Sequence, residues 1–290
     1  MNGVLVVDKP AGMTSHDVVA RVRRLANERS VGHLGTLDPA ATGVLPLLLG
    51  RWTRLAQFYT GSEKQYAGEI RLGFATDTYD ASGEPLAPAA PVNTSLDEVC
   101  AVAARFCGEI EQMPPPFSAK KIAGVPAYKL ARSKKEVLLQ PVRVTIHGLE
   151  IESLAGDRIR FSARVSAGTY LRSFAHDLGI ALGTGAHLAA LRRTRVAEFS
   201  LEDAHTLDEL SSANNLSDRF LHPRRILPHM PAVGASDEAA AFIRHGRAVN
   251  LPEFSTAPLA KVFFGQAELI AIASRIAGTL FQPKIVLIAD

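Results

Sequence analysis

Residues 32–45 read GHLGTLDPAATGVL, a polar segment with several glycines and a proline that leads into an apolar run ending at Leu49. This composition predicts a loop followed by a buried strand. Pro39 disfavours helical backbone at Asp38, so we expect this aspartate in an extended or turn conformation. The neighbouring glycines let another molecule approach the backbone closely. We therefore interpret Asp38 as a carboxylate held on a fixed, open loop, with a simple surface turn as the alternative.

The elements on either side of this loop predict the fold class. Apolar residues 4–7 indicate a strand, and residues 14–25 an amphipathic helix that begins at a capping box of Thr14 and Asp17. Further strands are predicted at 66–72, 142–146, 159–165 and 195–199, and helices at 96–106 and 207–220. Because the order lacks a regular βαβ rhythm, we expect an α+β fold with a central mixed, largely antiparallel sheet and flanking helices.

Two segments differ from the rest of the chain. Residues 118–143 are basic and follow three prolines, as is typical of a protruding arm. Residues 231–290 consist of short, strand-sized apolar runs and predict a small β-rich domain. We thus expect a large domain over residues 1–230, with its basic arm at 118–143, and a second domain over residues 231–290.

The composition excludes several classes of protein. The chain has 290 residues, 47% of them hydrophobic, which is enough for a sizeable core and excludes overall disorder. A net charge of only +3 excludes a histone-like mode of binding polyanions. Two cysteines cannot form a disulfide framework, and we find neither a signal peptide nor a run of about 20 apolar residues. We expect a protein of the cytoplasm with no membrane contact.

Several segments together resemble a known family. Residues 32–45 contain every fixed position of the pattern Gly-His-x-Gly-x-Leu-Asp-Pro-x-Ala-x-Gly-x-Leu. The other segments, in chain order, are GVLVVDKPAGMTS at 3–15, KQY at 64–66, GTYLRS at 168–173, DLG at 177–179, GAHL at 185–188 and LRR at 191–193. Over roughly residues 1–200 the chain resembles the TruB family of tRNA pseudouridine synthases.

The resemblance implies a fold and an activity. It implies a pseudouridine synthase catalytic domain over residues 1–230, a thumb-like arm at about 118–143, and a PUA-like RNA-binding domain over residues 231–290. The implied reaction converts uridine to pseudouridine at position 55 in the TΨC loop of tRNA, after the base has flipped out of the RNA. It needs no cofactor and no metal. The implied partner is the T-arm of tRNA, and we expect a monomer that needs no partner protein.

The resemblance also assigns three catalytic residues. Asp38 would be the nucleophile at the sugar, and Arg172 would form an ion pair that keeps this carboxylate charged in a dry pocket. Tyr66 would stack on the flipped uracil while its phenol oxygen removes the C5 proton. The residues leave open whether the first step joins Asp38 to the sugar or removes a sugar proton.

Other residues are expected to bind the substrate. His33 would enter the gap left by the flipped base and stack there. Leu191 would line the apolar pocket, and Lys9 and Pro10 would shape its wall. The basic residues expected to contact the RNA are Lys120, Lys121, Arg192 and Arg193.

Two other functions are consistent with parts of the sequence. An RNA-binding or RNA-folding protein could use the same fold without chemistry, although Asp38, Tyr66 and Arg172 are all present. An N-glycosidase could also use a carboxylate, but the sequence shows no evident second carboxylate placed to activate water. The three functions predict, respectively, an isomerised base, an unchanged base and a released base.

Overall fold

The computed structural model describes residues 1–117, 121–122, 125–126 and 140–288. Lys120 and most of the predicted basic arm lie outside these residues, and Lys121 opens a two-residue strand. The α-helices are α1 (Ser15–Ala26), α2 (Leu96–Ala103), α3 (Leu171–Ala181), α4 (Leu207–Ser211) and α5 (Asp237–Arg244). Short 3-10 helices cover Gly50–Phe58, Ala104–Phe106, Leu201–Asp203, Leu216–Arg219 and Pro223–Arg225. None of the helices in the described ranges is long and apolar enough to cross a membrane.

The strands form one large sheet, one smaller sheet and a short hairpin. In the first part of the chain they are β1 (Gly3–Lys9), β2 (Val31–His33), β3 (Thr42–Leu49), β4 (Lys64–Leu72), β5 (Gly108–Gln112), β6 (Lys121–Ile122), β7 (Val125–Pro126), β8 (Val142–Ala155) and β9 (Arg158–Val165). The later strands are β10 (Ala186–Val196), β11 (Phe199–Ser200), β12 (Ala204–His205), β13 (Ala232–Ala235), β14 (Val249–Asn250), β15 (Leu259–Phe264), β16 (Glu268–Ala277) and β17 (Leu280–Val286).

The large sheet has ten strands in the path β12-β1-β3-β10-β4-β9-β8-β5, with β2 paired to β3 and β11 to β10. Among the described strands of this sheet, only the pairs β1–β12 and β3–β10 are parallel. The predicted α+β fold with a mixed, largely antiparallel sheet is therefore confirmed. Strand β10 lies between β3 and β4, so that Arg193 is level with Gly43 on one side and with Tyr66 on the other. This register brings three distant sequence motifs together.

Helices cover the sheet where its strands carry apolar side chains. One cluster joins α2 and α3 to β4 and β9, with Phe161 and Phe174 at its centre. A second packs α1 and α4 against β1 and β3. Helix α1 begins at the predicted capping box, in which Thr14 accepts a hydrogen bond from the Asp17 backbone N–H and Asp17 bonds back to Thr14. The sheet is thus a rigid base for the loops that leave it.

Residues 232–286 form a separate five-stranded sheet in the order β13-β15-β16-β17-β14. It has its own core with α5, a helix that the sequence did not suggest. Its other face packs against the large domain, where Leu269 and Ile272 share a cluster with Trp52 and Leu55. Ile276, in contrast, is exposed. This unit therefore contacts the large domain through an apolar surface.

Two predicted elements are wrong in extent. The helix expected at 207–220 ends at Ser211, because residues 211–215 (SSANN) are poor helix formers and the Asn215 side chain caps a new 3-10 turn. The strand expected at 195–199 is the end of β10, which begins at Ala186. The chain turns at Ala197, whose φ is 49°, before it pairs again as β11.

Candidate active site

The segment at 3–15 fixes the loop that carries Asp38 through hydrogen bonds. The Ser15 hydroxyl accepts a hydrogen bond from the Leu37 N–H at 2.8 Å and donates to the Leu37 carbonyl. The Gly12 N–H donates to the Pro39 carbonyl at 2.8 Å. Asp38 itself starts a turn closed by the Ala41 N–H, with Pro39 second in the turn, as its sequence predicts.

Lys9 has a structural place in this arrangement. Its ammonium group is buried and donates to the carbonyls of Met13, Pro10 and Pro39 at 2.6, 2.8 and 3.2 Å. Burial lowers the pKa of Lys9 to about 8, and the charge of Asp38 acts in the opposite direction. Lys9 therefore ties the segment at 3–15 to the Asp38 loop. We had expected it to form part of the wall of the pocket, and it does not.

Arg193 holds the same loop from the other side. Its side chain is fully buried and donates to the carbonyls of Val44, Gly35 and Thr36 at 2.8, 2.9 and 3.2 Å. Tyr66 lies directly opposite Arg193 in the neighbouring strand β4. Burial lowers the pKa of the Arg193 guanidinium, and the Tyr66 phenol acts in the opposite direction. The prediction that Arg193 contacts RNA phosphate is wrong, because its guanidinium lies beneath the loop and has no access to solvent.

Asp38 and Arg172 form an ion pair with two contacts. Arg172 Nε lies 2.9 Å from Asp38 Oδ2, and Arg172 Nη2 lies 3.2 Å from Asp38 Oδ1. The guanidinium also donates to the carbonyls of Thr78 and Phe117 at 3.2 and 3.0 Å. The Arg172 side chain is only 7% exposed, whereas that of Asp38 is 42% exposed. The buried Arg172 guanidinium thus fixes the Asp38 carboxylate on its protein side, and the exposed part of the carboxylate faces the pocket.

The surroundings of Asp38 shift its acidity in two directions. Burial raises the pKa of the Asp38 carboxyl above its ordinary value, and the Arg172 guanidinium lowers it. A second carboxylate, Asp80, lies 3.6 Å from Arg172 Nη1 and raises the pKa of Asp38 further through like-charge repulsion. Asp80 accepts hydrogen bonds from the Thr78 hydroxyl and the Ser82 N–H, so it is held in place independently.

Helix α3 positions Arg172 in its first turn. The residue before the helix, Tyr170, is held by the buried amide of Gln112, which accepts from the Tyr170 N–H at 2.8 Å and donates to its carbonyl at 3.0 Å. Further along the helix, the His176 ring stacks on Tyr79 with centroids 3.8 Å apart. Tyr79 has a φ of 65°, a conformation that bulky residues rarely adopt. The stack therefore holds the strained turn that presents Asp80.

A cavity of about 440 Å³ opens above Asp38. It is lined by Gly35, Thr36, Leu37, Asp38, Thr60, Lys64, Tyr66, Ala167, Gly168, Thr169, Tyr170, Leu171, Arg172 and Leu191. Its lining combines two tyrosines, aliphatic groups, the Asp38 carboxylate and Lys64. Burial and the charge of Arg193 lower the pKa of Lys64 to about 8. This volume and lining suit a single flat ring attached to a sugar.

The predicted site residues fall into two groups. The cavity brings together Asp38, Tyr66, Arg172 and Leu191. Among the other predicted residues, Lys9 is buried, Pro10 is exposed at a separate recess, and His33 and Arg192 do not line the cavity. Lys120 and the Lys121 side chain lie outside the described part of the chain. His33 Nδ1 accepts a hydrogen bond from the Gly35 N–H.

Arg192 is level with Thr42 in the next strand and pairs with Asp8, with Nη2 and Oδ2 2.7 Å apart. Its side chain is still 42% exposed, unlike that of its neighbour Arg193. Arg192 therefore remains available at the surface, and its role in RNA binding stays a prediction.

Asp80, Gln112 and Lys64 were not predicted as site residues. Lys64 belongs to the KQY segment, which was the available signal. Asp80 is the last residue of a threonine- and aspartate-rich segment, TDTYD at 76–80, which gave no sign of a distant partner. Gln112 has no signal in the sequence, because its role depends on a contact with Tyr170 that is 58 residues away. Asp80 is the second carboxylate that the sequence did not reveal, but it does not line the cavity.

Comparison with known proteins identifies the family. The model of the TruB family pseudouridylate synthase N-terminal domain matches residues 23–171, and that of the tRNA pseudouridylate synthase B C-terminal domain matches residues 172–228. The chain belongs to the TruB family. Its similarity to the two relatives described next covers 99% and 85% of its length. The tRNA pseudouridine synthase B of Solibacter usitatus is 45% identical over 99% of this chain and 100% of that protein. That of Symbiobacterium thermophilum is 47% identical over 85% of this chain and 82% of its own.

Solved structures give the same result for the fold. The chain is similar to a protein in an H/ACA RNP bound to a substrate RNA containing 2′-deoxyuridine, with a TM-score of 0.72 and 26% identity. It is also similar to a chain of a Cbf5-Nop10-Gar1 complex, with a TM-score of 0.71 and 28% identity. Each alignment covers 99% of this chain and 85% of the other. The similarity of fold to these chains therefore extends through the C-terminal sheet.

Proposed function

We propose that this protein isomerises uridine to pseudouridine at position 55 in the TΨC loop of tRNA. The observation that carries the proposal is the Asp38 carboxylate, paired with Arg172 and exposed to a cavity beside Tyr66 and Leu191. A base inside a folded RNA loop must flip out to reach such a cavity, at a cost of a few kcal/mol. The family membership supports the same reaction.

The reaction needs a carboxylate at the sugar carbon. We propose that Asp38 acts there as the N1–C1′ bond breaks, with the bonding electrons passing to the uracil. Two first steps are compatible with the site: Asp38 bonds to C1′, or it removes a proton from the sugar. Arg172 keeps the carboxylate ionised against its burial, and the apolar cavity wall limits the access of water that would release the base.

The second half of the reaction joins C5 to C1′. After the uracil turns within the cavity, C5 bonds to C1′. On the covalent route the bond between Asp38 and C1′ breaks in this step, and on the other route Asp38 returns its proton to the sugar. We propose that the Tyr66 ring stacks on the uracil and that its phenol oxygen takes the C5 proton, which restores the double bond of the ring. Leu191 packs against the flipped base on the cavity wall. No metal or redox cofactor takes part in these steps.

The expected substrate contacts extend beyond the cavity. We propose that His33 stacks in the gap left by the flipped uridine, and that Arg192, Lys120 and Lys121 contact RNA phosphate. Pro10, at a separate exposed recess, bounds the RNA surface. We further propose that residues 1–230 form the catalytic domain and residues 231–290 a PUA-like RNA-binding domain. The protein would act as a monomer in the cytoplasm, where its tRNA substrate is found.

A stem-loop RNA with tritium at C5 of the target uridine tests the activity. Isomerisation releases tritium to water and leaves pseudouridine in the RNA. We expect turnover by the wild-type protein and none above background by Asp38→Asn, which keeps the side-chain volume and loses the charge. Asp157→Asn is the matched control, because Asp157 pairs with Arg71 at the far end of β4. An RNA with cytidine at the target position should remain unmodified.

The same assay separates the alternatives. A protein that only binds or folds RNA would bind the stem-loop without releasing tritium. An N-glycosidase would release free uracil and leave an abasic site. Binding of the stem-loop by Asp38→Asn should remain within about threefold of wild type, since the substitution removes no RNA contact. Wild-type protein that fails to release tritium from a bound stem-loop would overturn the proposed function.

A further inference from the structure

Arg193 is a buried cation that the reaction outlined above does not use. Its side chain is fully buried, and no carboxylate of the described residues pairs with it. A buried charge is costly unless its hydrogen-bonding groups are satisfied. Here all three nitrogens of the guanidinium donate to backbone carbonyls. A phosphate cannot reach this guanidinium, so its charge serves something inside the protein.

The guanidinium connects three parts of the site. Its Nε donates to Val44 in β3, and its two terminal nitrogens donate to Gly35 and Thr36 in the Asp38 loop. Such a fork needs the planar arrangement of five N–H groups that only arginine has. Two features let the loop and strand come this close. A Cβ at Gly43 would lie 2.2 Å from the Arg193 carbonyl oxygen, and Gly35 has a φ of 118°.

The third part is the Tyr66 side chain. Tyr66 lies directly opposite Arg193 in the antiparallel β4–β10 pair, so the two side chains project from the same face of the sheet. Burial lowers the pKa of the Arg193 guanidinium, and the Tyr66 phenol beside it acts in the opposite direction. The ladder is irregular just after this pair, between Arg193 and Arg195, as is common beside active sites.

We propose that Arg193 is a positioning residue that aligns the Asp38 loop with the Tyr66 phenol oxygen, the group that accepts the C5 proton. The inference rests on the proposed function. In the step concerned, the C5 proton passes to the phenol oxygen while the phenol's own hydrogen passes to water, and the C5–H electron pair restores the ring double bond. The guanidinium remains protonated throughout and never touches the substrate.

The test compares Arg193→Lys and Arg193→Met with the wild-type protein on the stem-loop. Lysine keeps the charge but loses the fork, and methionine loses both. We expect kcat to fall by at least about 100-fold in Arg193→Lys and further in Arg193→Met, since small misplacements of catalytic groups have effects of this size. The KM, the Kd for RNA and its salt dependence should stay within about threefold of wild type. A phosphate contact would instead weaken binding and reduce the salt dependence.

A double-mutant cycle with Tyr66→Phe tests whether Arg193 acts through the phenol. We compare the fold-loss of kcat that Arg193→Lys causes in two backgrounds. In the Tyr66→Phe background we expect this loss to be smaller than in the wild type, by a factor of at least about ten. Additive effects, or an Arg193→Lys protein with wild-type kcat, would overturn the inference. Wild-type turnover in the same experiment tests the proposed function separately, so the two failures are distinguishable.

A second variant covers the case in which the arginine variants do not fold. Gly35→Ala places a methyl group 3.5 Å from Arg193 Nη1 and 3.2 Å from Lys64 Cε in a strained conformation, without touching Tyr66. We expect it to fold and to lower kcat at least about tenfold with an unchanged Kd. Gly148→Ala is the control, because nothing lies within 4 Å of the added methyl group. Equal kcat in the two variants would contradict the proposed alignment.

Discussion

Replacing Arg172 by methionine should move the pH dependence of activity, because this residue is the main influence that keeps Asp38 ionised. Two contacts of 2.9 and 3.2 Å join the pair. Opposite charges about 4 Å apart interact by about 4 kcal/mol at an effective dielectric constant of about 20. The Asp38 side chain is 42% exposed, so water reduces this value. We expect about 1.5 kcal/mol, or about one pKa unit.

The direction follows from the reaction's need for a carboxylate. The pKa of Asp38 is already raised by burial, and removing Arg172 raises it further because the largest influence that opposes burial and the Asp80 charge is lost. Activity requires ionised Asp38 and therefore falls as the pH drops through this pKa. In Arg172→Met the acid limb of log kcat/KM should lie about one pH unit higher than in wild type. At pH values above the acid limb, the maximal rate of Arg172→Met should also be lower than that of wild type, since the Asp38 loop loses its contact with Arg172.

The assay is tritium release from the stem-loop between about pH 4.5 and 9, with folding checked at each pH. Arg71→Met is the matched control, because Arg71 Nε lies 2.8 Å from Asp157 in a comparable ion pair outside the cavity. Its acid limb should coincide with that of wild type. An Arg172→Met protein whose acid limb does not move would refute the idea that the guanidinium sets the ionisation of Asp38.

Three further predictions concern separate parts of the molecule. Tyr66→Phe keeps the stacking ring and loses the phenol, so we expect unchanged RNA affinity and a kcat about 100-fold lower in tritium release; normal turnover would exclude the phenol as the base. Lys9→Met leaves three carbonyls without their buried donor and should lower the free energy of unfolding in urea by about 3 kcal/mol. A chain ending before Pro231 should unfold at a lower temperature, because Trp52 and Leu55 lose their apolar cover, yet still modify the isolated stem-loop. Inactivity of that truncated protein in a folded state would contradict the proposed domain boundary.

Much of the site follows from local sequence. The capping box of α1, the Asp-Pro turn and the strand that follows the Asp38 loop depend on residues a few positions apart, and the structure has all three. The α+β class follows from the order of such local patterns. The motifs also named Asp38, Tyr66, Arg172 and Leu191, which the structure gathers around one cavity.

Only the tertiary structure decided the different surroundings of the two arginines Arg192 and Arg193. Arg192 and Arg193 are adjacent in the sequence, but successive side chains of a strand point to opposite faces of the sheet. Pairing of β10 with β3 and β4 therefore leaves Arg192 partly exposed and buries Arg193 beneath the Asp38 loop. Asp80 reaches Arg172 only because the chain folds back across 92 positions, a separation at which no local pattern applies. Local chemistry determines which elements form, whereas strand register determines which of their side chains meet.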